Sequence, residues 1–223
     1  PEARRLAETL VRVGNRLGKK FAALVTAMDQ PLGRMAGNAL EVRQAIEVLR
    51  GEGPKDLREV VLALGAELLV LVGEAASPQA GQEKLARLLD EGKAFAKFRE
   101  LVAAQGGDVR AVEEPERLPR AARVVEVLAP QSGYVQALRA RAIGLACGLL
   151  GAGREVKGQR IDPAAGVELL AKVGDAVERG QPLARLHVGR PDHLPEARKM
   201  VEEAFVIGAT PPAPSPLILD RIV

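Results

Sequence analysis

The sequence predicts an α/β protein of the α+β kind, and three observations carry that expectation. Through residue 107 leucines and valines recur at spacings of three and four, the period of helices with one buried face. Residues 108–120 (DVRAVEEPERLPR) are polar, hold two prolines and show no period, which marks a boundary. Beyond it, short β-favouring runs alternate with turns built on Gly and Pro. The 223 residues suffice for two small domains, expected at 1–115 and 120–223.

Leu6, Leu10, Val13 and Leu17 form one apolar stripe on a first helix over residues 1–17. Gly18 suits its left-handed cap, and Lys19 and Lys20 complement the negative end of its dipole. Residues 21–26 (FAALVT) read as a buried strand, broken by Asp29-Gln30-Pro31-Leu32-Gly33. The next helix is expected to be capped by Asn38, with Glu41 completing a capping box. Its expected buried face is Leu40, Ala45, Ile46 and Leu49, and Gly51 and Gly53-Pro54 end it. Another helix starts at Pro54 or Asp56 and carries Leu57, Val60, Val61, Leu64, Leu68 and Leu71. Ser77-Pro78 reads as an N-cap followed by Pro at the first helical position, opening a helix with Leu85, Leu88 and Leu89. A last helix of this half holds Phe95, Phe98, Leu101 and Val102 and stops at Gly106-Gly107. After the boundary, strands are expected at 124–128, 134–138, 167–172 and 183–187, and helices at 140–150 and 195–204, before a Pro-rich tail (TPPAPSP).

Composition narrows the function classes. With 47% hydrophobic and 27% charged residues the chain is globular. Thirty-two basic against 29 acidic side chains are too balanced for a nucleic-acid binder. Four Phe, one Tyr and no Trp leave little on which bases would stack. The apolar runs are too short or too interrupted to cross a bilayer, and no basic-then-apolar leader is present. The single Cys147 excludes an internal disulfide and fits a reducing compartment, the cytoplasm. A chain that opens at Pro1 and enters a helix directly reads as the interior of a longer protein.

Catalytic constellations are scarce. His187 and His193 have Asp192 and Glu196 nearby but no Cys or third His to complete a ligand set, so structural or surface roles are expected. Cys147 lies among Ala, Gly and Leu without a cationic neighbour, as a small core residue would. No nucleophile elbow, P-loop or dinucleotide fingerprint occurs. Catalytic and cofactor-binding residues are therefore expected to be none within this chain.

Two stretches stand out. In residues 26–41 (TAMDQPLGRMAGNALE) a strand ends, the chain turns through Pro and two glycines, and a helix begins. Glycines there permit close backbone approach, a helix N-terminus attracts anions, and turned carbonyls can hold a cation; an ordinary strand-to-helix connection is the plainer alternative. The second stretch pairs APQSGYV (129–135) with KVGDAVERGQPLARLHV (172–188). These pieces resemble the half-motifs of biotinyl and lipoyl carrier domains, whose cofactor hangs on a tip Lys. No Met-Lys-Met occurs here, so the barrel-sandwich shape is expected without the carrier chemistry; a non-catalytic carrier-like module is the alternative function.

Taken together, the segments resemble the thymidine phosphorylase and pyrimidine-nucleoside phosphorylase family. The resemblance runs in family order through most of the chain. It is most specific in DQPLGRMAGNALEVRQAIE (29–47) and in LGAGR (150–154) followed by IDPAAG (161–166). It implies the helix-rich part of a mixed-sheet α/β domain followed by a small barrel-sandwich-like C-terminal domain. It also implies reversible phosphorolysis of pyrimidine nucleosides to base and pentose 1-phosphate, with phosphate and nucleoside as partners, no required cofactor, and a homodimer. The family's Lys-x-Ser-Thr-Gly-Gly-Val-Gly-Asp phosphate loop is absent, as are its base-holding Arg-Asp-Val-Thr and Ser-x-x-Ser-Lys-Lys segments. All belong to the first half of the family's chain, so this chain alone is expected to be inactive and to expose apolar surface on its first helix and strand. Some members bind a cation through two carbonyls of the Gln-Pro-Leu-Gly segment and a helical Glu. The matching positions here are Leu32, Met35 and Gln44. Gln in place of Glu removes one negative charge, so weakened affinity for a monovalent or calcium ion is expected.

Overall fold

The computed structural model describes residues 2–154 and 156–223; the reading placed on Pro1 lies outside them. The chain folds as α1 (Glu2–Arg16), β1 (Ala23–Thr26), β2 (Met35–Ala36), α2 (Asn38–Leu49), α3 (Lys55–Leu71), α4 (Pro78–Asp90), α5 (Lys93–Ala104) and α6 (Arg110–Glu113). It continues as β3 (Arg123–Leu128), β4 (Gly133–Leu138), α7 (Ala140–Cys147, running on through a π turn at Gly148–Ala152), β5 (Gly166–Leu169) and β6 (Ala176–Val177). It closes with β7 (Pro182–Val188), α8 (Leu194–Ala204), β8 (Phe205–Gly208) and β9 (Ile218–Ile222). The α+β expectation holds. Among the described residues the strands form three antiparallel strips, β1-β9, β2-β5-β7-β3 and β6-β4-β8.

The chain divides into two compact units that interleave in sequence. The first unites the chain up to Ala27 with Val48–Phe98 and Ser215–Val223; the second unites Met28–Glu47 with Arg99–Pro214.

In the first unit β1 pairs with β9, with Leu24 opposite Arg221 and Val25 opposite Asp220. The last five-residue strand of the chain thus completes the first, a pairing the proline-rich segment before it concealed. Asp220 and Arg221 are consecutive in a strand and point to opposite faces of the ribbon. Asp220 meets Arg4 of α1 at 2.6 Å, and Arg221 forms an ion pair with the buried Glu67 of α3. Side chains of α1 and α3 thus reach opposite faces of the ribbon. Helix α4 starts as its sequence predicts: the Ser77 hydroxyl accepts a hydrogen bond from the Ala80 N–H at 3.2 Å, with Pro78 in the first turn. Helices α3 and α4 approach closely where Gly81 meets Ala66; a Cβ on Gly81 would lie 2.9 Å from the Ala66 Cα.

The buried faces of α1 and α3 differ from those the apolar stripes suggested. Helix α1 buries Ala7, Val11 and Gly14 and exposes Leu6, Leu10 and Val13, and Leu17 just beyond its end is exposed too. Helix α3 buries Val60, Ala63, Ala66 and Glu67, while Val61, Leu64 and Leu68 face out. In both, most large apolar side chains of the stripe are left outside; on α3 the small Ala66 lets the backbone of α4 come close at Gly81.

The second unit holds the main apolar core, in which Val127, Val135, Ile143, Leu150, Val167 and Leu186 are completely buried. The stretches 129–135 and 172–183 interlock. Ala129 N–H donates to the Gln181 carbonyl at 2.8 Å, and Gly174 N–H to that of Val135 at 2.9 Å.

Candidate functional site

The turn between β1 and α2 is built within the second unit, where residues 30–38 lie along β5 and the loop after it. Arg34 O accepts from Leu169 N–H at 2.7 Å, Met35 pairs with Glu168, and Ala36 pairs with Val167. Gln30 Oε1 accepts from Val173 N–H at 3.1 Å. The Arg34 guanidinium donates to the Leu170 carbonyl at 2.8 Å and lies 3.7 Å from Asp175. Asp175 in turn accepts from Lys172 N–H at 2.9 Å. Lys172 turns inward, and its ammonium donates to the carbonyls of Pro31 and, at 2.7 Å, Gly33. A buried ammonium is tolerated only with such partners. The two stretches that stand out in the sequence, 26–41 and the piece that begins at Lys172, thus meet in one hydrogen-bonded assembly.

Two glycines are required there. Gly33 takes φ +69°, and a Cβ on it would press on the Gln44 side chain. Gly37 takes φ +136°, and a Cβ on it would lie 2.5 Å from the Ala165 carbonyl oxygen. The close approach expected here is therefore made within the chain, by Gly37 to the backbone at 165–166 and by Gly33 to the Gln44 side chain.

Helix α2 begins one residue earlier in its capping than expected. Gly37 N–H donates to Glu41 Oε1 at 2.9 Å, so the helix's own carboxylate occupies its N-terminus. The Asn38 amide does not cap; it donates to the Ala152 carbonyl at 3.1 Å. Leu40 and Ile46 are buried as expected, but Gln44 and Val48 take the places read for Ala45 and Leu49. Below this turn lies a cavity of about 250 Å³, lined among others by Gly37, Glu41, Gly144, Cys147 and Gly148. The Cys147 thiol donates to the Ala36 carbonyl at 3.3 Å, and burial pushes its pKa up to about 12, so it is no nucleophile.

Of the cation positions, Leu32 is partly exposed and Gln44 is buried. Gln44 Oε1 accepts from the N–H groups of Arg34 at 2.6 Å and Met35 at 3.2 Å. An amide oxygen has two lone pairs, and both are engaged. The Lys172 ammonium already sits on carbonyls either side of Leu32. Neutral donors in that state fit a metal ion poorly. Among the described residues no group of three His, Cys, Asp or Glu is placed to hold a metal.

His187 lies on β7 with its Nε2 buried and, among the described residues, without a hydrogen-bond partner. Glu168 Oε2 is 3.7 Å away. Burial lowers the His187 pKa; Glu168 opposes this, while Arg43 and Arg185 reinforce it. His193 sits in the turn before α8 and joins no ligand set. Lys172, the lysine nearest the carrier-like hairpin, is buried on carbonyls, so the carrier reading finds no support. Sequence reasoning missed Lys172 and Arg34 as the residues that lock the turn; the only signal was a cation beside the Gly174-Asp175 turn.

Known proteins are similar to this chain. Residues 134–208 match the pyrimidine nucleoside phosphorylase C-terminal domain, and residues 1–95 match the a/b domain of a glycosyl transferase family. The pyrimidine-nucleoside phosphorylase of Geobacillus stearothermophilus is 40% identical over 221 residues, which is 99% of this chain and 51% of that protein. That of Bacillus subtilis (strain 168) is 43% identical over 213 residues, 96% of this chain and 49% of that protein. That of Staphylococcus aureus (strain USA300) is 40% identical over 222 residues, all of this chain and 51% of that protein. The chain spans about half the length of the curated relatives it matches, and that half includes the C-terminal domain. By these matches the chain is similar, over nearly all of its own length, to about half of the pyrimidine-nucleoside phosphorylases.

Proposed function

We propose that the chain supplies the C-terminal part of a pyrimidine-nucleoside phosphorylase, with residues 1–115 contributing to the α/β domain and 120–223 forming the C-terminal domain. The complete enzyme is a cytoplasmic homodimer. In the reaction phosphate attacks the anomeric carbon of a pyrimidine nucleoside, the base leaves, and a pentose 1-phosphate forms. The observation that carries this reading is identity of 40–43% over nearly the whole chain to relatives bearing that name.

Within this reading the residues of this chain act by position. Lys172, Arg34 and Gln44 hold the 30–36 turn rigid, and rigid placement is what a reaction driven by orientation and charge stabilisation needs. The groups that touch phosphate and base belong to the half of the family outside this sequence. Incubation of this chain with phosphate and thymidine or uridine is therefore expected to release no base, whereas the complete enzyme releases base only with phosphate. Phosphate-dependent release by this chain alone, surviving repurification, would overturn the assignment. A potassium or calcium ion at Leu32, Met35 and Gln44 would have to displace existing donors, so only weak binding is expected. Calorimetric titration of the complete enzyme saturating at micromolar cation would contradict this.

A further inference from the structure

We infer that the first unit holds a binding site for a small amphiphilic carboxylate, an unbranched acyl chain ending in one negative charge, seated in a cavity with Lys93 and Lys97 at its rim. The inference is independent of the proposed phosphorolysis, and its test leaves that reading untouched.

The cavity measures about 440 Å³, within the ~300–1,000 Å³ of small-molecule sites and larger than the cavity below the 30–36 turn. Its lining lies within one unit. Leu49 at the end of α2, Leu62 of α3, and Leu85 and Leu88 of α4 wall it, and α5 adds Ala94 between the two lysines. Helix α5 buries none of its residues, so it lies over its neighbours without filling the space between them. Leu62, Leu85 and Leu88 are accordingly only partly buried. Leucines left partly open to water around a cavity gain from an apolar occupant.

The rim decides what charge that occupant carries. Lys93 and Lys97 stand one helical turn apart and share a face of α5. Among the described residues that line the cavity they are the only ionisable ones, so the charge there has one sign. Lys93 also pairs with Glu91 at 2.6 Å, but both side chains are more than half exposed, and such a surface pair gives way readily to another carboxylate. Lysine keeps its methylenes along apolar surface and its ammonium in water. An acyl chain thus matches the leucines and the lysine stems, and its carboxylate matches the two ammonium groups. A cationic amphiphile would be repelled.

The test is isothermal titration of the protein with octanoate and decanoate below micelle-forming concentrations. A single molecule is expected to bind, decanoate at least ~10-fold more tightly than octanoate, as two further buried methylenes require. Hydrogen exchange in α4 and α5 should slow as the site fills. Decanol should bind more weakly than decanoate. Lys93→Met with Lys97→Met should bring decanoate down to the level of decanol and leave decanol unchanged. Ala94→Trp fills the cavity and should abolish binding of both with helix content retained. Equal affinity for octanoate and decanoate, decanoate binding that survives Ala94→Trp, or no heat with no change in exchange would overturn the inference. So would self-association of the protein that decanoate disperses, because the occupant is then a second copy. If Ala94→Trp does not fold, the lysine pair decides: decanoate affinity unchanged by the double substitution overturns the site.

Discussion

Lys172 shows how one side chain can fix a turn that lies well over a hundred residues away. Its stem is buried and its ammonium bridges the Pro31 and Gly33 carbonyls. Lys172→Met keeps the stem and removes the charge, leaving two carbonyls short of a donor, at a cost of about 1–3 kcal/mol. A lowered urea midpoint with unchanged slope is the expected result; an unchanged midpoint would contradict the role. His187 makes a pH-dependent contribution of opposite character. Its folded pKa lies below the unfolded value of 6.5. Between those values the unfolded chain binds the proton that the folded chain resists, so stability is fully present above 6.5 and is lost as pH falls through the folded value. Urea midpoints measured from about pH 7 to about pH 5 should fall more steeply for the native chain than for His187→Gln; parallel curves would exclude His187 as the source.

At the scale of elements, the contact between β2 and β5 depends on glycine facing glycine. A Cβ on Gly166 would meet the Ala36 carbonyl oxygen, and would lie 2.9 Å from Leu40 Cδ1 and 3.0 Å from the Gly37 Cα. Two of those atoms are backbone, so the strands must part. Gly166→Ala is expected to cost about 1–3 kcal/mol, as overpacking does, and to raise amide exchange in Met35–Ala36. Retained melting temperature and protection would argue that the strand pair yields freely. Much of this level was legible in the sequence, and the exceptions have physical reasons. The Ser77 cap and the four central strands follow from local patterns that need no distant partner. The stripes on α1 and α3 were legible as stripes, but periodicity does not say which side a neighbour covers, and the residues beside each stripe are the ones buried. Strand β9 escaped because its partner stands at the other end of the chain. The turn at 26–41 was legible as a special segment, yet the lock at Lys172 became apparent only when residues 31–33 and 172 met in space.

For the whole molecule, the interleaving of the two units makes stability divisible. Removal of Ser215–Val223 takes β9 from β1 and takes Arg221 from the buried Glu67. A buried carboxylate without its cation is costly, and the loss is expected to consume a large share of the roughly 5–15 kcal/mol that stabilises a domain. Hydrogen exchange should show protection lost in α1, β1 and α3 and kept in β5 and β7. Loss in β5 and β7, or full retention in β1, would show that the units do not unfold separately. The pairing of first and last strands has a temporal side as well. A ribosome makes the chain from its N-terminus, so every residue of the second unit is synthesised before the strand that completes the first. Long-range pairings form slowly and leave their members exposed in the meantime. The apolar β1 therefore leaves the ribosome before its partner strand exists, and it stays open to wrong pairing until β9 follows.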